Sequence, residues 1–249
     1  MNLKEKLKKG KFVVGTWCIL PSPQLVNVLA KSGLDFIIID MEHAPTGFET
    51  AQSMIEAAES EGCEAIIRVP NNDEVNVLRA LDIGPSGVIV PHIESVADRE
   101  KAMSYIKYPP IGIRGFSPYT KTGFYHSRPE HTKLENDKTL SGIIVEGMSG
   151  IRDYEKIIDD PALDLIYLGA YDLSVALSIP GQVGNPKIKE LQKNCTKKAR
   201  EKNKAAGGIF HSETDLSYFK EIGVQLLCYK VDTNIVYDAI NSMLNFARK

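Results

Sequence analysis

The sequence lacks the features that mark membrane and secreted proteins. No apolar run approaches the roughly 20 residues that a membrane-spanning helix requires, and the charged N-terminal segment contains no apolar stretch typical of a signal peptide. The four cysteines form no C-x-x-C pair and no zinc-finger pattern, which favours free thiols in a reducing compartment. We therefore expect a cytoplasmic protein that spans no membrane.

The sequence also lacks an excess of charge of either sign. It contains 30 Lys and Arg against 32 Asp and Glu, a formal net charge of −2 at pH 7, and this balance indicates no nucleic-acid partner. Lysines near the C-terminal third are interleaved with Glu201, which is typical of a solvated helix face. With 249 residues and 43% hydrophobic content, the chain can bury a full core without disulfides.

What the sequence does contain is a regular alternation of short apolar runs with longer amphipathic ones. The short runs are rich in Val, Ile and Leu with little period-two alternation, which predicts strands covered on both faces. They lie at residues 12–18, 36–40, 65–69, 87–93, 142–146, 165–168, 208–210 and 226–229. Predicted helices lie between them, at residues 23–32, 47–60, 73–81, 96–106, 151–158, 187–205, 214–221 and 234–247.

Eight such units in one chain of this length predict a single α/β domain over residues 1–249, a (β/α)8 TIM barrel. A doubly wound open sheet is the main alternative, but no G-x-G-x-x-G follows any predicted strand. Two connections, residues 107–138 and 174–186, are too long for tight turns. We expect both on the active-site face, with segments 117–125 and 178–184 shaping part of the substrate pocket.

Ionisable residues cluster where the predicted strands end. His43 follows the second strand, Arg68 ends the third, Glu146 ends the fifth and Asp172 follows the sixth. In a barrel these ends converge on one face, and buried charges there need a partner or a metal ion. Two carboxylates from adjacent strands predict an oxygen-rich site for a hard divalent ion. Each residue alone is more often solvated or ion-paired, so the prediction depends on their convergence. His92 is a weaker candidate at the same face.

The motifs of this chain resemble the class II 2-oxo acid aldolases of the HpcH/HpaI aldolase and citrate lyase superfamily. The resemblance covers almost the whole chain in order, and its D-x-E-H-A-P and G-x-x-D-L-S elements are specific. The matching segments are GTW at 15–17, IDMEHAP at 39–45, IRVP at 67–70, VP at 90–91, YPP at 108–110, GFSP at 115–118, GAYDLS at 169–174 and VDT at 231–233.

The resemblance implies a role for each of five residues. Glu146 and Asp172 correspond to the metal ligands, His43 to the catalytic base and Arg68 to the residue that stabilises the enolate. Asp82 corresponds to an aspartate that raises the basicity of the histidine. Its position at the end of a predicted helix places it at the opposite end of the barrel, so a neighbouring subunit or a different local helix is required. The implied ion is Mg²⁺ or Mn²⁺, with Co²⁺ as a third candidate.

The expected substrate contacts include two departures from the family pattern. Ile144 stands where many relatives have a glutamine, and Gly169-Ala170 replaces a common Gly-Pro. Tyr171 is bulkier than its counterpart in some members.

The resemblance also implies a homo-oligomer, a hexamer or trimer, in which the C-terminal helix packs on a neighbouring subunit.

The implied reaction is the cleavage of a 4-hydroxy-2-oxo acid into pyruvate, or a related 2-oxo acid, and an aldehyde. A Schiff-base aldolase is an alternative that needs a lysine inside the barrel, for which Lys230 is the one candidate at a strand end. An acyl-CoA ester lyase is a second alternative, although no basic cluster suits a nucleotide phosphate. A third is a barrel that binds a metabolite without catalysis.

Overall fold

The computed structural model describes residues 1–126 and 128–249, and its centre is a closed barrel of eight parallel strands paired in chain order. The strands are β1 Val13–Cys18, β2 Phe36–Asp40, β3 Glu64–Arg68, β4 Gly87–Val90, β5 Leu140–Val145, β6 Leu165–Leu168, β7 Ala205–Phe210 and β8 Leu226–Val231. This confirms the (β/α)8 barrel and excludes the open sheet.

The strands are apolar on both faces because each face packs against a different part of the core. In β2, Ile37 and Ile39 join the cluster between barrel and helices, whereas Phe36 and Ile38 join the cluster inside the barrel. Successive side chains of a strand point to opposite faces, so both clusters draw on the same strand. A charged residue fits such a strand only at its end, where Asp40 lies.

Helices surround the barrel and return the chain from the end of one strand to the start of the next. Several begin at a side-chain cap, for example Ser95 accepting a hydrogen bond from the backbone N–H of Asp98. The helices are α1 Leu3–Lys8, α2 Pro23–Lys31, α3 Phe48–Glu59, α4 Glu74–Asp82, α5 Val96–Ile106, α6 His131–Lys138, α7 Met148–Arg152, α8 Tyr154–Ile157, α9 Ala170–Ala176, α10 Pro186–Glu201, α11 Glu213–Ile222 and α12 Asp232–Ala247. No helix in the described part of the chain is long and apolar enough to cross a membrane.

Three helices were not predicted from the sequence: α1, α6 and α9. In α1, Asn2 and Glu5 form a reciprocal capping box. Leu3 and Leu7 of this helix join the cluster inside the barrel, so α1 closes the N-terminal end of the barrel. These helices are short, and a period of 3.6 residues is difficult to recognise over fewer than three turns.

The expectation that residues 107–138 lie on the active-site face is wrong. The described residues of this segment, 107–126 and 128–138, follow helix α5 and precede strand β5, so they lie at the N-terminal ends of the strands. Its contacts agree with that position: Arg114 Nη2 donates to Asp82 Oδ1 at 3.1 Å, and the Thr122 hydroxyl donates to the carbonyl of Leu81. Segment 117–125 therefore supplies no residue to the cavity of its own subunit.

Candidate active site

A cavity of about 370 Å³ opens at the C-terminal end of the barrel, where strand ends supply most of its lining. It contains the four residues whose convergence was predicted from sequence. The lining residues are Trp17, Ile19, Asp40, His43, Arg68, Ile144, Glu146, Tyr167, Gly169, Ala170, Tyr171, Asp172, Ile209 and Val231.

Glu146 and Asp172 lie together on one side of this cavity. Val145 pairs with Leu168 in the register of β5 and β6, so Glu146 and Gly169 are the next residues along the two neighbouring strands. Both carboxylate side chains pack around Gly169: a Cβ atom there would lie 2.8 Å from Cγ of Glu146 and 3.3 Å from Oδ2 of Asp172. The glycine is therefore required by close approach, because any larger residue would displace the acidic pair.

The electrostatic state of Glu146 suits a cation. Burial raises its pKa to about 7; His92 opposes this shift, whereas the negative charges of Asp172 and Glu42 add to it. A divalent ion between two carboxylates would relieve both the desolvation and the repulsion.

The donor set fits a hard ion that keeps water or substrate in its shell. Among residues 1–126 and 128–249, no group of three or more His, Cys, Asp or Glu side chains is arranged to hold a metal. Mg²⁺ commonly binds proteins through only one or two carboxylates and completes its octahedron with water and substrate oxygens. Glu146 and Asp172 match that pattern.

Arg68 is held in the cavity wall by two carboxylates and an indole ring. Its Nε donates to Oδ1 of Asp40 at 2.9 Å and its Nη2 reaches the other oxygen, while Nη1 lies 2.8 Å from Oε2 of Glu42. This last contact is an ion pair without hydrogen-bond geometry. The guanidinium carbon lies 4.7 Å from the centre of the Trp17 ring. Burial opposes the charge of Arg68, but Asp40 and then Glu42 and Glu146 raise its pKa above the ordinary value.

Asp40 also positions the turn that carries His43. Its Oδ1 accepts hydrogen bonds from the backbone N–H groups of Glu42, at 2.9 Å, and His43, at 3.3 Å. The chain therefore turns sharply after β2, and the exposed imidazole of His43 lines the cavity. One buried carboxylate thus orients both Arg68 and the loop that carries His43.

His92 is more deeply involved in the site than the sequence indicated. Its Nε2 lies 2.6 Å from Oε1 of Glu42, and its Nδ1 lies 2.7 Å from Oε2 of Glu146. The residue has a positive φ of 59°, an uncommon conformation that often occurs at functional sites. The sequence did contain a signal for His92, because it lies directly after Pro91 near the end of a predicted strand. A position at a strand end is also what selected Glu146.

Two expected residues lie apart from this cavity. Asp82 is the last residue of α4, and its carboxylate contacts Arg114 rather than His43. Within one subunit the expected effect of Asp82 on His43 is therefore not supported, and it would require a second copy of the chain. Lys230 ends near the barrel mouth, but its Nζ lies 2.6 Å from Oδ2 of Asp238 on α12. It is not a lining residue, which disfavours a Schiff base.

Sequence reasoning also missed the aromatic floor of the cavity. The indole N–H of Trp17 donates to the hydroxyl of Tyr167 at 3.2 Å, and the two rings meet edge to face with centroids 5.4 Å apart. Ile144 packs in the same interior cluster. Beside this floor, Gly169 and Ala170 line the wall, and Tyr171 stands half exposed at the mouth.

A parallel barrel with acidic, basic and imidazole side chains gathered at its C-terminal mouth defines a (β/α)8 enzyme. The sequence profile of the HpcH/HpaI aldolase/citrate lyase family matches residues 14–238, and the chain belongs to this family. It is an aldolase, a lyase that acts on carbon–carbon bonds, and enzymes of this family depend on divalent metal ions.

Named relatives resemble the chain over most of its length. The 2-dehydro-3,6-dideoxy-6-sulfogluconate aldolase of Pseudomonas putida is 33% identical over 186 residues, 75% of this chain and 72% of that protein. The 4-hydroxy-2-oxo-heptane-1,7-dioate aldolase of Shigella flexneri is 26% identical over 243 residues, 97% of this chain and 91% of that protein. The crystal structure of an HpcH/HpaI aldolase from Desulfitobacterium hafniense DCB-2 superimposes with a TM-score of 0.93 at 28% identity, covering 100% of this chain and 97% of that one.

Proposed function

We propose that this chain catalyses the reversible aldol cleavage of a 4-hydroxy-2-oxo acid into pyruvate, or a related 2-oxo acid, and an aldehyde. The observation that carries the proposal is the meeting of Glu146, Asp172, His43 and Arg68 in one cavity. The names of the relatives support the same reaction class and do not favour an acyl-CoA ester lyase.

Glu146 and Asp172 are proposed to hold a Mg²⁺, Mn²⁺ or Co²⁺ ion. When bound, such an ion supplies Lewis acidity toward the 2-oxo acid oxygens. Ile144, Gly169, Ala170 and Tyr171 are proposed to contact the substrate; all four line the cavity, the last three at the start of α9.

The proton and charge transfers are assigned to His43 and Arg68. His43 removes the proton from the 4-hydroxyl group, and the electrons of that O–H bond form the aldehyde carbonyl as the C3–C4 bond breaks. The electron pair of the broken bond passes to the 2-oxo acid fragment as its enolate. Arg68 lies where a fixed cation can stabilise that oxyanion, an effect worth about 3–4 kcal/mol for a single donor.

Pyruvate release from a panel of 4-hydroxy-2-oxo acids, with EDTA or with added Mg²⁺, Mn²⁺ or Co²⁺, tests the proposal. We expect turnover that chelation abolishes and His43→Ala strongly reduces. Borohydride trapping of a substrate adduct would instead favour a Schiff-base route. Absence of turnover with every substrate and every ion would refute the proposal, and would favour a barrel that only binds a metabolite.

We also propose that residues 1–249 form one barrel domain that assembles into a homo-oligomer, a trimer or hexamer, through α12. Asp232 is the one fully buried residue of this helix. Ile235 and Leu244 are half-buried, whereas Tyr237 at 67%, Ile240 at 53% and Phe246 at 82% remain exposed. A shallow groove of about 490 Å³ runs along it. Apolar surface of this extent usually marks an interface.

Light scattering of the purified protein tests the assembly. We expect a trimeric or hexameric mass for the wild type and for the exposed polar variant Asn245→Ser, and a smaller mass for Ile240→Asp with Phe246→Ser. A monomeric wild type would refute the proposal.

We further propose a cytoplasmic location for this chain. The four cysteines are free and buried, which supports a reducing compartment.

A further inference from the structure

One side of the active-site cavity is a continuous apolar wall. It is formed by Ile209 of β7, Val231 of β8, and Trp17 and Ile19 at the end of β1. In the closed barrel β7 pairs with β8 and β8 pairs with β1, so these side chains are neighbours around the rim. The acidic, basic and imidazole residues come instead from the loops and strand ends of β2 to β6.

Within the described parts of the chain, no cationic side chain other than Arg68 lines this cavity. The guanidinium of Arg68 lies over the Trp17 ring, and ion pairs with Asp40 and Glu42 hold it on the β2–β3 side of the cavity. Lys230 is adjacent to the wall in sequence but pairs with Asp238 on α12. Asp232 is turned away as well, since its carboxylate accepts the backbone N–H groups of Ile19 and Leu20 at 3.2 and 3.0 Å.

The positions of the reacting groups direct the rest of the substrate toward this wall. With the 2-oxo acid end at Glu146 and Asp172 and the 4-hydroxyl group at His43, the chain beyond C4 has β7, β8 and β1 beside it. A carboxylate or sulfonate placed there would lose water without gaining a counter-ion, whereas an alkyl or aryl group would bury apolar area.

We infer that the aldehyde released or accepted by this enzyme has an uncharged, apolar tail. The inference rests on the proposed aldol reaction and names the class of its aldehyde. It sets this chain apart from two relatives whose names specify substrates with a second anionic end, a 6-sulfo group in one and a 1,7-dioate in the other.

Aldol addition of pyruvate to butanal and to 4-oxobutanoate tests the inference, because both aldehydes have four carbons and differ only in a terminal methyl or carboxylate. With the metal-loaded enzyme we expect kcat/KM to be at least about tenfold higher for butanal, the ratio that 1.4 kcal/mol corresponds to. Equal or higher kcat/KM for 4-oxobutanoate would overturn the inference while leaving the aldol reaction intact.

A separate measurement distinguishes failure of the inference from failure of the proposed reaction. Proton exchange at the methyl group of pyruvate in D2O reports enolate formation without any aldehyde. Exchange that occurs with no addition to butanal overturns the inference alone; absence of both exchange and addition overturns the proposed reaction.

A charge introduced into the wall supplies an internal check. Val231→Arg is expected to shift the ratio about tenfold toward 4-oxobutanoate, whereas Val231→Met, which is long but uncharged, is expected to preserve the preference for butanal. A folded Val231→Arg protein with an unchanged ratio would show that the aldehyde tail lies elsewhere. The wild-type ratio remains decisive if the arginine variant does not fold.

Discussion

Replacing Arg68 with methionine perturbs folding and chemistry at the same time, and the structure indicates how to separate the two effects. The guanidinium is bonded to both oxygens of Asp40 and lies 2.8 Å from Glu42. The side chain of Asp40 is 2% exposed and that of Glu42 is 8% exposed. Arg68→Met therefore leaves two buried carboxylates without their principal counter-ion.

The expected magnitudes follow from that geometry. Breaking a buried ion pair by removing one partner typically costs about 3–5 kcal/mol of stability, and His92 beside Glu42 places the expected loss at the lower end. Removal of an oxyanion donor reduces kcat by about 10²–10³-fold. If Arg68 has both roles, Arg68→Met lowers the free energy of unfolding by about 3 kcal/mol and kcat/KM by at least about 10²-fold.

A second substitution separates the two roles. Asp40→Asn removes the unpaired charge but retains a side-chain oxygen that can accept the backbone N–H groups of Glu42 and His43. The double variant Arg68→Met with Asp40→Asn is expected to recover more than half of the lost stability and none of the lost activity. Urea denaturation monitored by circular dichroism measures the first quantity, and a coupled assay of pyruvate release measures the second.

Two results would refute this reasoning. Near-normal kcat/KM in folded Arg68→Met protein would remove Arg68 from catalysis and leave it a structural ion-pair partner. Failure of Asp40→Asn to restore stability would show that the loss comes from the contacts of Arg68 with Glu42 or Trp17 rather than from the orphaned carboxylate of Asp40.

The remaining predictions concern the acidic pair and a buried lysine. His92→Ala removes the ring between Glu42 and Glu146 and is expected to weaken Mn²⁺ binding about 10-fold. Electron paramagnetic resonance measures this binding, with His126→Ala as the control. Unchanged Mn²⁺ binding in His92→Ala would contradict this role of His92. Gly169→Ala places a methyl group 2.8 Å from Cγ of Glu146 and is expected to weaken Mn²⁺ binding with little loss of secondary structure. Gly184→Ala is the control, because Gly184 lies outside the cavity and an added Cβ there meets no atom within 4 Å.

Burial, followed by the charge of Lys4, lowers the pKa of Lys107 from 10.5 to about 8. The unfolded chain therefore binds more protons between these values, so this group adds stability as pH rises through that window. A lowering of the pKa by this amount corresponds to at most about 3 kcal/mol of stability. In urea titrations, the free energy of unfolding of the wild type is expected to rise between pH 7.5 and pH 10, and that of Lys107→Met is expected to lack this rise. An equal rise in the wild type and Lys107→Met would contradict the prediction.

The barrel could be predicted from sequence because each strand carries its own evidence. An apolar run such as residues 36–40 is buried on both faces wherever it pairs, so its composition already identifies a covered strand. Boundaries moved by only a few residues: the predicted strand 65–69 is Glu64–Arg68 in the structure. The segment 107–138 was misplaced because its length was taken as the sign of an active-site loop, although the predicted helix 96–106 directly before it already puts it at the N-terminal ends of the strands.

Sequence alone determined which chemical groups stand at strand ends, because local apolar patterning fixes where a strand must stop. It therefore selected Glu146, Asp172, His43 and Arg68. Only tertiary structure decided which groups touch: Asp40 with Arg68 across paired strands, His92 between two carboxylates, and Asp82 with Arg114 at the far end. Such contacts join residues distant in the chain, and they depend on barrel register and side-chain direction, which no local pattern records.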